Sequence, residues 1–374
     1  MIFKFLIAIL FTFHSALGQA DLSTKDRLKQ KVIIAYYAGS RSLPVNDIKA
    51  NKITHINYAF ANIHEGKVVE GNAQNDNAKF KELVELRNQH PHLKLLISVG
   101  GWSWSDHFSD AALTEGSRKV FASSAVSFLV RHRLDGIDLD WEYPGQPGEG
   151  NIFRSEDKQN FTLLLKAVRE ELDSLSRLTQ QHYLLTIATA ANQSYLDHTE
   201  MSIAHQYLDY VNIMSYDYFG GWSQHTGHHT ALGQWGSDKA INYTTRAVKQ
   251  HLTAGVPASK IVMGVAFYGR GWPNVAHNGT TPLYQKYDGQ AFALSYDSIT
   301  RLRGYVRYWD STALAPYLWN ASHQTLITYD DSKSLRHKCE FVWDQELAGV
   351  MFWEYTQDPS GVLVETLFNN LQQP

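Results

Sequence analysis

Cysteine is nearly absent from this chain, since Cys339 is the only one among 374 residues. The chain therefore has no internal disulfide and no cysteine-based metal site, even if it is exported to an oxidising compartment. Cys339 lies in the segment LRHKCEF, which has a helical pattern. We expect this residue to be a small buried hydrophobe rather than a reactive thiol.

The chain also lacks a large surplus of charge of either sign. The 34 Lys and Arg residues are matched by 37 Asp and Glu residues, which gives a formal net charge of −3. A protein that binds nucleic acid or an anionic membrane surface usually carries a basic surplus, so we expect neither partner. Linkers rich in Pro, Ser or Thr and internal repeats are absent from the sequence as well. We therefore expect no appended binding module. We also expect the protein to be a monomer.

The one long apolar run lies at the N terminus. Lys4 precedes the apolar stretch Phe5–Phe13, and Ala16 and Gly18 form a small-residue cleavage site. This pattern predicts a signal peptide at 1–18 and a secreted or periplasmic protein. The apolar stretch is too short to span a bilayer comfortably, although an uncleaved anchor is the alternative.

The rest of the chain contains short, apolar, β-branched runs separated by helical patterns, which is typical of a parallel α/β fold. Eight β/α units predict a closed (β/α)8 TIM barrel over residues 19–374, with the active site at the C-terminal ends of its strands. The predicted strands are Val32–Tyr37, His55–Phe60, Leu95–Ser98, Gly136–Asp140, Leu184–Thr189, Tyr210–Ser215, Ile261–Ala266 and Gly349–Trp353. Helical patterns include Phe80–Asn88, Arg118–Arg131, Asp157–Leu175 and Lys239–Leu252.

One interval breaks this rhythm. About eighty residues separate the last two predicted strands, where a helix and two loops need roughly thirty. Residues 271–330 carry the alternating stretches GYVRYWD and TLITYD. They predict a small α+β insertion that would form one wall of a cleft at the strand ends.

Acidic residues are concentrated in residues 134–144, which read LDGIDLDWEYP. If this strand continues to Glu142, then Asp138, Asp140 and Glu142 share one face at spacings of roughly 6–7 Å. Crowding raises the pKa of one carboxyl, which then keeps a proton near neutrality, as a general acid at glycosidic bonds must. The alternatives are a solvated acidic edge strand and a divalent-metal site.

Several segments together resemble one protein family. LDGIDLDWEYP resembles the DxxDxDxE signature of the family-18 glycoside hydrolases, the chitinases. The family's other motifs are similar to Ser98–Gly101 (SVGG), Met214–Asp217 (MSYD), Phe267–Arg270 (FYGR) and Phe352–Glu354 (FWE). The resemblance covers nearly the whole mature chain. It implies a barrel with an insertion domain, activity on chitin or GlcNAc-containing oligosaccharides, and no cofactor.

The resemblance also implies a mechanism. Glu142 would protonate the glycosidic oxygen and then activate water. The other acids lie on the same predicted strand, which is poor geometry for attack from the opposite face, and the family instead uses the substrate's acetamido oxygen as the nucleophile. Asp140 would hydrogen-bond the acetamide N–H, while Asp138 would share a proton or hydrogen bond with Asp140. Tyr216 would donate its hydroxyl to the acetamide oxygen.

A further set of residues is predicted to bind substrate. Trp353 would form the floor beneath the distorted sugar, or belong to the barrel core. Asp217 and Arg270 would bond the sugars on either side of the scissile bond, or form a structural ion pair. Trp102 and Trp222 would stack on neighbouring sugars. The remaining predicted substrate contacts are Tyr36, Phe60, Gly101, Tyr143 and Met214.

The histidines at 225, 228 and 229 lie in a Gly- and Thr-containing loop without zinc-helix spacing. We therefore expect a loop at the cleft rim and no catalytic metal. Three other functions stay open. A chitinase-like lectin would bind the same sugars without cutting them, although such proteins commonly lack the acid at Glu142. An endo-β-N-acetylglucosaminidase would use the same chemistry on N-glycans, and a metal-dependent hydrolase could use the three acids.

Overall fold

Eight parallel strands close into a barrel in this computed structural model, which describes residues 30–41, 43–234, 242–277, 279 and 281–372. The barrel strands are β1 (Val32–Ala38), β2 (His55–His64), β4 (Lys94–Gly100), β5 (Gly136–Asp140), β6 (Leu184–Ala190), β7 (Tyr210–Met214), β8 (Ile261–Ala266) and β14 (Gly349–Trp353). Neighbours in this order are paired in parallel, and β14 pairs with β1 to complete the ring. The predicted TIM barrel is confirmed.

Helices on the outside of the barrel cover its apolar surface. Within the described residues they are α1 (Ala73–Gln89), α2 (Phe108–Leu113), α3 (Glu115–His132), α4 (Asp157–Thr179), α5 (Gln193–Asp197), α6 (Met201–Ala204), α7 (Thr244–Thr253), α9 (Ser332–Asp344) and α10 (Val362–Leu371). Helix α3 begins where Thr114 and Ser117 cap each other's main-chain N–H groups. The predicted helix Lys239–Leu252 is observed from Thr244, and its residues 239–241 lie outside the described residues.

The two faces of each strand have different environments, as alternation requires. On β5, Ile137 and Leu139 belong to the large core between strands and helices, and both are fully buried. Asp138 and Asp140 instead face the inside of the barrel. Cys339 is buried in α9, which confirms its predicted place in a helix and in the core.

A second, antiparallel sheet is formed by the chain between β8 and β14. Its strands are β9 (Tyr268–Trp272), β10 (Phe292–Ser295), β11 (Val306–Asp310), β12 (Ala315–Asn320) and β13 (Thr325–Tyr329), in the order β10-β9-β13-β12-β11. The short helix α8 (Tyr296–Thr300) follows β10. A hairpin partner, β3 (Lys67–Glu70), extends β2 beyond the barrel. The second sheet begins at Tyr268, ahead of residue 271, and the limits of an insertion domain at 271–330 stay a prediction.

No helix within the described residues is both long enough and apolar enough to cross a bilayer. The signal peptide predicted at 1–18 lies outside the described residues, so it stays a prediction together with export.

Candidate active site

A cleft of about 1920 Å³ opens at the C-terminal ends of the barrel strands. Its volume exceeds the roughly 300–1,000 Å³ typical of a pocket for one small molecule, which suits an extended ligand. Residues 293–295 of the second sheet and Ser298 of the helix that follows β10 line the cleft together with the barrel residues. The second sheet therefore contributes to a wall of the cleft, where the insertion was expected to lie.

Asp138 lies beneath the cleft floor and is fully buried. Its Oδ2 accepts hydrogen bonds from the hydroxyls of Tyr36 (2.8 Å) and Ser98 (2.7 Å). Its Oδ1 accepts from the Thr186 hydroxyl (2.5 Å) and the Asn212 amide (3.2 Å). Burial raises the pKa of Asp138, and these four hydrogen bonds counter that effect by stabilising its anion.

We expect Thr186→Val to lower the free energy of unfolding by about 1–3 kcal/mol, because the buried carboxyl of Asp138 loses a hydrogen-bond donor while valine keeps nearly the shape of threonine. Urea denaturation of the two proteins measures the difference. Thr179→Val is the matched control, since that hydroxyl bonds only the Leu175 carbonyl at an exposed helix end. An equal loss in both variants would contradict the proposed value of the Asp138 contact.

Asp140 ends β5, and Glu142 follows the strand rather than continuing it. The expected regular strand spacing for all three acids is therefore wrong at Glu142. The main-chain N–H of Glu142 donates to Oγ of Ser105 at 2.9 Å, and that hydroxyl donates to the Gly101 carbonyl at 2.9 Å. A loop residue after β4, not the pleat of β5, thus holds the main chain at Glu142.

Both cleft acids are buried, with exposed fractions of 4% for Asp140 and 8% for Glu142. Burial raises the pKa of Glu142 to about 7. Burial, followed by repulsion from Glu142 and Asp138, also raises the pKa of Asp140 well above its ordinary range. Oδ1 of Asp140 has no hydrogen-bond partner in the part of the chain that the structure describes. The pair of acids therefore holds a proton near neutrality, and Oδ1 of Asp140 is buried without a partner among the described residues. The predicted bond between Asp138 and Asp140 is not formed in this structure.

Tyr216 and Trp353 lie on the cleft beside these acids. The one hydrogen bond of the Tyr216 hydroxyl within the described residues goes to Sδ of Met351, at 3.8 Å. Because sulfur is a weak acceptor, this hydroxyl is free to donate to a ligand oxygen. Trp353 ends β14 and stacks on Phe60 at 5.5 Å between ring centroids, with Tyr36 at 5.9 Å.

Asp217 and Arg270 form a two-point ion pair in the cleft wall. Arg270 Nε and Nη2 lie 2.9 Å and 2.6 Å from the two oxygens of Asp217. Burial would raise the pKa of Asp217, but the nearby His229 ring and the hydrogen bonds and charge of Arg270 outweigh it, and the pKa is lowered. The ring of Trp222 covers the Arg270 guanidinium at 5.0 Å, and its indole is 63% exposed. Both residues of the pair line the cleft, so the ion pair is observed and the predicted substrate contact stays a prediction.

The other predicted substrate contacts divide into two groups. Trp102, 51% exposed, packs edge-on against Tyr143 at 6.4 Å, and both line the cleft with Met214. Gly101 is not among the lining residues. Its Cα lies against the Phe60 ring, where a Cβ would come within 2.6 Å, and its φ of 74° is in the left-handed region. Its predicted role as a substrate contact stays a prediction, and in this structure its missing side chain makes room for Phe60.

The histidine loop holds no cluster of metal ligands. In the described part of the chain, no three His, Cys, Asp or Glu residues are close enough to bind an ion together. His228 and His229 are buried rather than at the cleft rim, which corrects the expectation for that loop. His228 Nε2 pairs with Asp310 at 3.2 Å, and His229 Nδ1 lies 3.6 Å from Asp217. The absence of a catalytic metal stays a prediction.

Sequence reasoning missed the donors around Asp138. Ser98, Thr186 and Asn212 come from three strands far apart in the chain, and each is a polar residue within an apolar strand. A polar residue on the inward face of an apolar barrel strand was the signal that could have identified these donors. Ser105 gave no signal, because its loop has no recognisable pattern.

The comparisons with known proteins agree with one another. The sequence profile of "Glycosyl hydrolases family 18" matches residues 32–358. Chitinase A1 of Niallia circulans is 38% identical over 94% of this chain and 60% of its own length. Chitinase 1 of Aphanocladium album is 32% identical, over 86% of this chain and 79% of its own.

Solved structures give the same relationship. A family 18 N-acetylglucosaminidase from Paenibacillus barengoltzii has a TM-score of 0.85 and 42% identity, and the match covers 91% of this chain and 100% of that one. Chitinase ChiA74 from Bacillus thuringiensis has a TM-score of 0.87 and 36% identity, over 92% of this chain and 70% of that one.

Proposed function

The chain belongs to glycosyl hydrolases family 18, as its motifs predicted, and from that premise we propose that it is a secreted chitinase. Its substrates would be chitin or chito-oligosaccharides, cut between N-acetylglucosamine units with retention of configuration. The observation that carries this proposal is the buried pair at the cleft floor. Burial raises the pKa of Glu142 to about 7, close to the pH at which it must donate, and Asp140 beside it has an oxygen without a partner among the described residues.

This pair supports a substrate-assisted mechanism. Glu142 donates its proton to the leaving oxygen, and the acetamido oxygen of the same sugar attacks C1. The free oxygen of Asp140 accepts from the acetamide N–H and stabilises the positive charge that develops there. Asp138, which accepts four hydrogen bonds, keeps a negative charge in place below Asp140. The free Tyr216 hydroxyl aligns the acetamide oxygen, and Glu142 then removes a proton from the incoming water.

A second candidate is an enzyme that releases N-acetylglucosamine from chain ends. The similarity to the Paenibacillus barengoltzii N-acetylglucosaminidase, which spans the whole of that chain, favours it specifically. The two activities share every catalytic group and differ in which bonds of an oligomer are reached. No feature of the described cleft specifically favours the trimming of N-glycans or the lectin hypothesis.

One experiment separates these possibilities. The protein is incubated with an aryl chitobioside, GlcNAc oligomers of graded length and a high-mannose glycopeptide, and products are followed in time by chromatography and NMR. A chitinase releases internal fragments with the β-anomer first, because two inversions retain configuration. Monomer alone from the start supports the second candidate, and glycopeptide cleavage without oligomer cleavage supports the endo-β-N-acetylglucosaminidase. No turnover of any of them, or an α-anomer first, would overturn the proposal.

The rate should fall above about pH 7. Burial raises the pKa of Glu142 to about 7, so the proton needed for the first step is present below that pH and lost above it. We expect kcat/KM on the aryl chitobioside to fall about tenfold per pH unit on the basic side. Thermal unfolding at each pH is the control for loss of structure. If kcat/KM already fell with rising pH in the ordinary pKa range of a carboxyl group, the assignment of Glu142 as the acid would be contradicted.

A further inference from the structure

His229 is buried next to the cleft and has no function in the mechanism above. It has no exposed surface, and its ring packs against Tyr268 with 5.1 Å between centroids. Its neighbour His228 is equally buried but turns away, towards Asp310. The two adjacent histidines therefore serve different parts of the structure.

The His229 ring is also unusual in its hydrogen bonding. Neither Nδ1 nor Nε2 has a hydrogen-bond partner among the described residues. A buried polar group left unpaired costs about 1–3 kcal/mol, so its retention at this place calls for a reason. Burial lowers the pKa of His229, so the ring is neutral near pH 7 and carries one N–H.

The ring is aimed at a residue of the cleft wall. Nδ1 lies 3.6 Å from Oδ1 of Asp217, which is about 0.6 Å longer than an ordinary N–H···O bond. The main chain connects the same two segments, because the Tyr218 N–H donates to the His229 carbonyl at 3.0 Å. Asp217 itself has a φ of 59°, a left-handed conformation that its neighbours must hold in place. A small movement of the carboxylate thus completes a third hydrogen bond to Asp217.

We infer that His229 is a positioning residue that donates its Nδ1–H to Asp217 and keeps the Asp217–Arg270 pair in its ligand-binding orientation. The inference rests on the proposed function, since the pair then meets a sugar next to the scissile bond. When the sugar competes for hydrogen bonds of Arg270, His229 supplies the donor that keeps Asp217 ionised and in place. His229 acts through Asp217 and does not touch the substrate.

The test uses three substitutions in the full chain. His229→Leu removes the donor and keeps a similar volume, His229→Asn puts an amide N–H near the place of Nδ1, and His228→Leu is the matched control in the same loop. Steady-state kinetics on the aryl chitobioside and binding of GlcNAc trimer, followed by tryptophan fluorescence, are measured with the Tm of each variant. We expect His229→Leu to weaken trimer binding and lower kcat/KM roughly tenfold, mainly through KM. His229→Asn should stay within about threefold of the parent, and so should folded His228→Leu whatever its Tm.

Several results would overturn the inference. They are unchanged binding and kcat/KM in folded His229→Leu, equal losses in His229→Leu and His229→Asn, or equal losses in His228→Leu and His229→Leu. If His229→Leu does not fold, His229→Gln replaces it, because its amide lies near Nε2 and leaves Asp217 without the donor. Trimer binding is measured without turnover. A parent protein that binds the trimer but cuts nothing thus refutes the proposed function while leaving the role of His229 open to the same test.

Discussion

Glu142→Gln should lower kcat about 10²–10⁴-fold while the barrel stays folded, since general acid catalysis is worth that much. Glutamine has the shape of the protonated acid but cannot release the proton to the leaving oxygen. The measurement is kcat on the aryl chitobioside, with circular dichroism to compare the folds. Glu354→Gln is the matched control, because Glu354 is another buried carboxyl at a barrel strand end, and burial also raises its pKa. Its oxygens accept from the main-chain N–H and the hydroxyl of Thr356, so we expect kcat within about threefold of the parent. Near-normal turnover by Glu142→Gln would remove Glu142 from its role.

The same substitution should stabilise the fold at neutral pH. The folded-state pKa of Glu142 is about 7 against an ordinary value of 4.5, so between these values the unfolded chain loses this proton first. Stability therefore falls as pH rises through that window, and the glutamine variant escapes the fall. We expect Glu142→Gln to have the higher Tm at about pH 8 and an unchanged Tm near pH 4. A Glu142→Gln variant with a lower Tm at both pH values would indicate that the Glu142 carboxyl forms a favourable contact.

Fully deacetylated glucosamine oligomers should be hydrolysed several orders of magnitude more slowly than the acetylated oligomers of equal length. The reason is the loss of an intramolecular nucleophile, whose effective molarity is typically about 10⁵–10⁸ M in well-oriented systems. The other carboxyls that line the described cleft are already occupied. Asp217 is paired with Arg270, and Asp76 accepts from the Tyr58 hydroxyl and the Asn72 N–H. Neither is free to replace the acetamido group.

The rates are compared by reducing-end assay at equal concentrations of the two oligomers. Inhibition of chitin-oligomer hydrolysis by the deacetylated oligomer is the control for binding, because an amine-bearing oligomer that binds but is not cut must inhibit. Equal hydrolysis of the two oligomers would overturn the substrate-assisted mechanism and leave a protein carboxylate as the nucleophile.

The sequence predicted the barrel because its signals are local and repeated. Each of the eight predicted strands overlaps an observed one, and three of them, Gly136–Asp140, Ile261–Ala266 and Gly349–Trp353, have the observed bounds. The orientation of two of the acids was also predicted from a local pattern, since Asp138 and Asp140 follow the alternation of β5. Prediction failed where local regularity ended. Glu142 lies past the strand, and its main chain is held by Ser105 from another loop.

Residues that come into contact only because the barrel closes could not be recognised from their spacing in the sequence. Tyr36 donates to Asp138 across 102 positions of the chain, and nothing between them records that β1 and β5 face the same interior. Gly101 was assigned to the substrate because its motif is in the cleft, yet its missing side chain makes room for Phe60. The histidine loop was placed at a rim because Gly and Thr suggested exposure, whereas both His228 and His229 are buried.

By itself, the sequence determined the fold class, the family and the order of the acids, because alternation and strand count depend on neighbours in the chain. Only the tertiary structure decided that burial raises the pKa of both cleft acids, which oxygen stays without a partner and which polar side chains surround Asp138. Those properties depend on burial and on distances between side chains remote in sequence. Charges and hydrogen bonds in a closed barrel act through space, and the spacing of residues along the chain does not contain those distances.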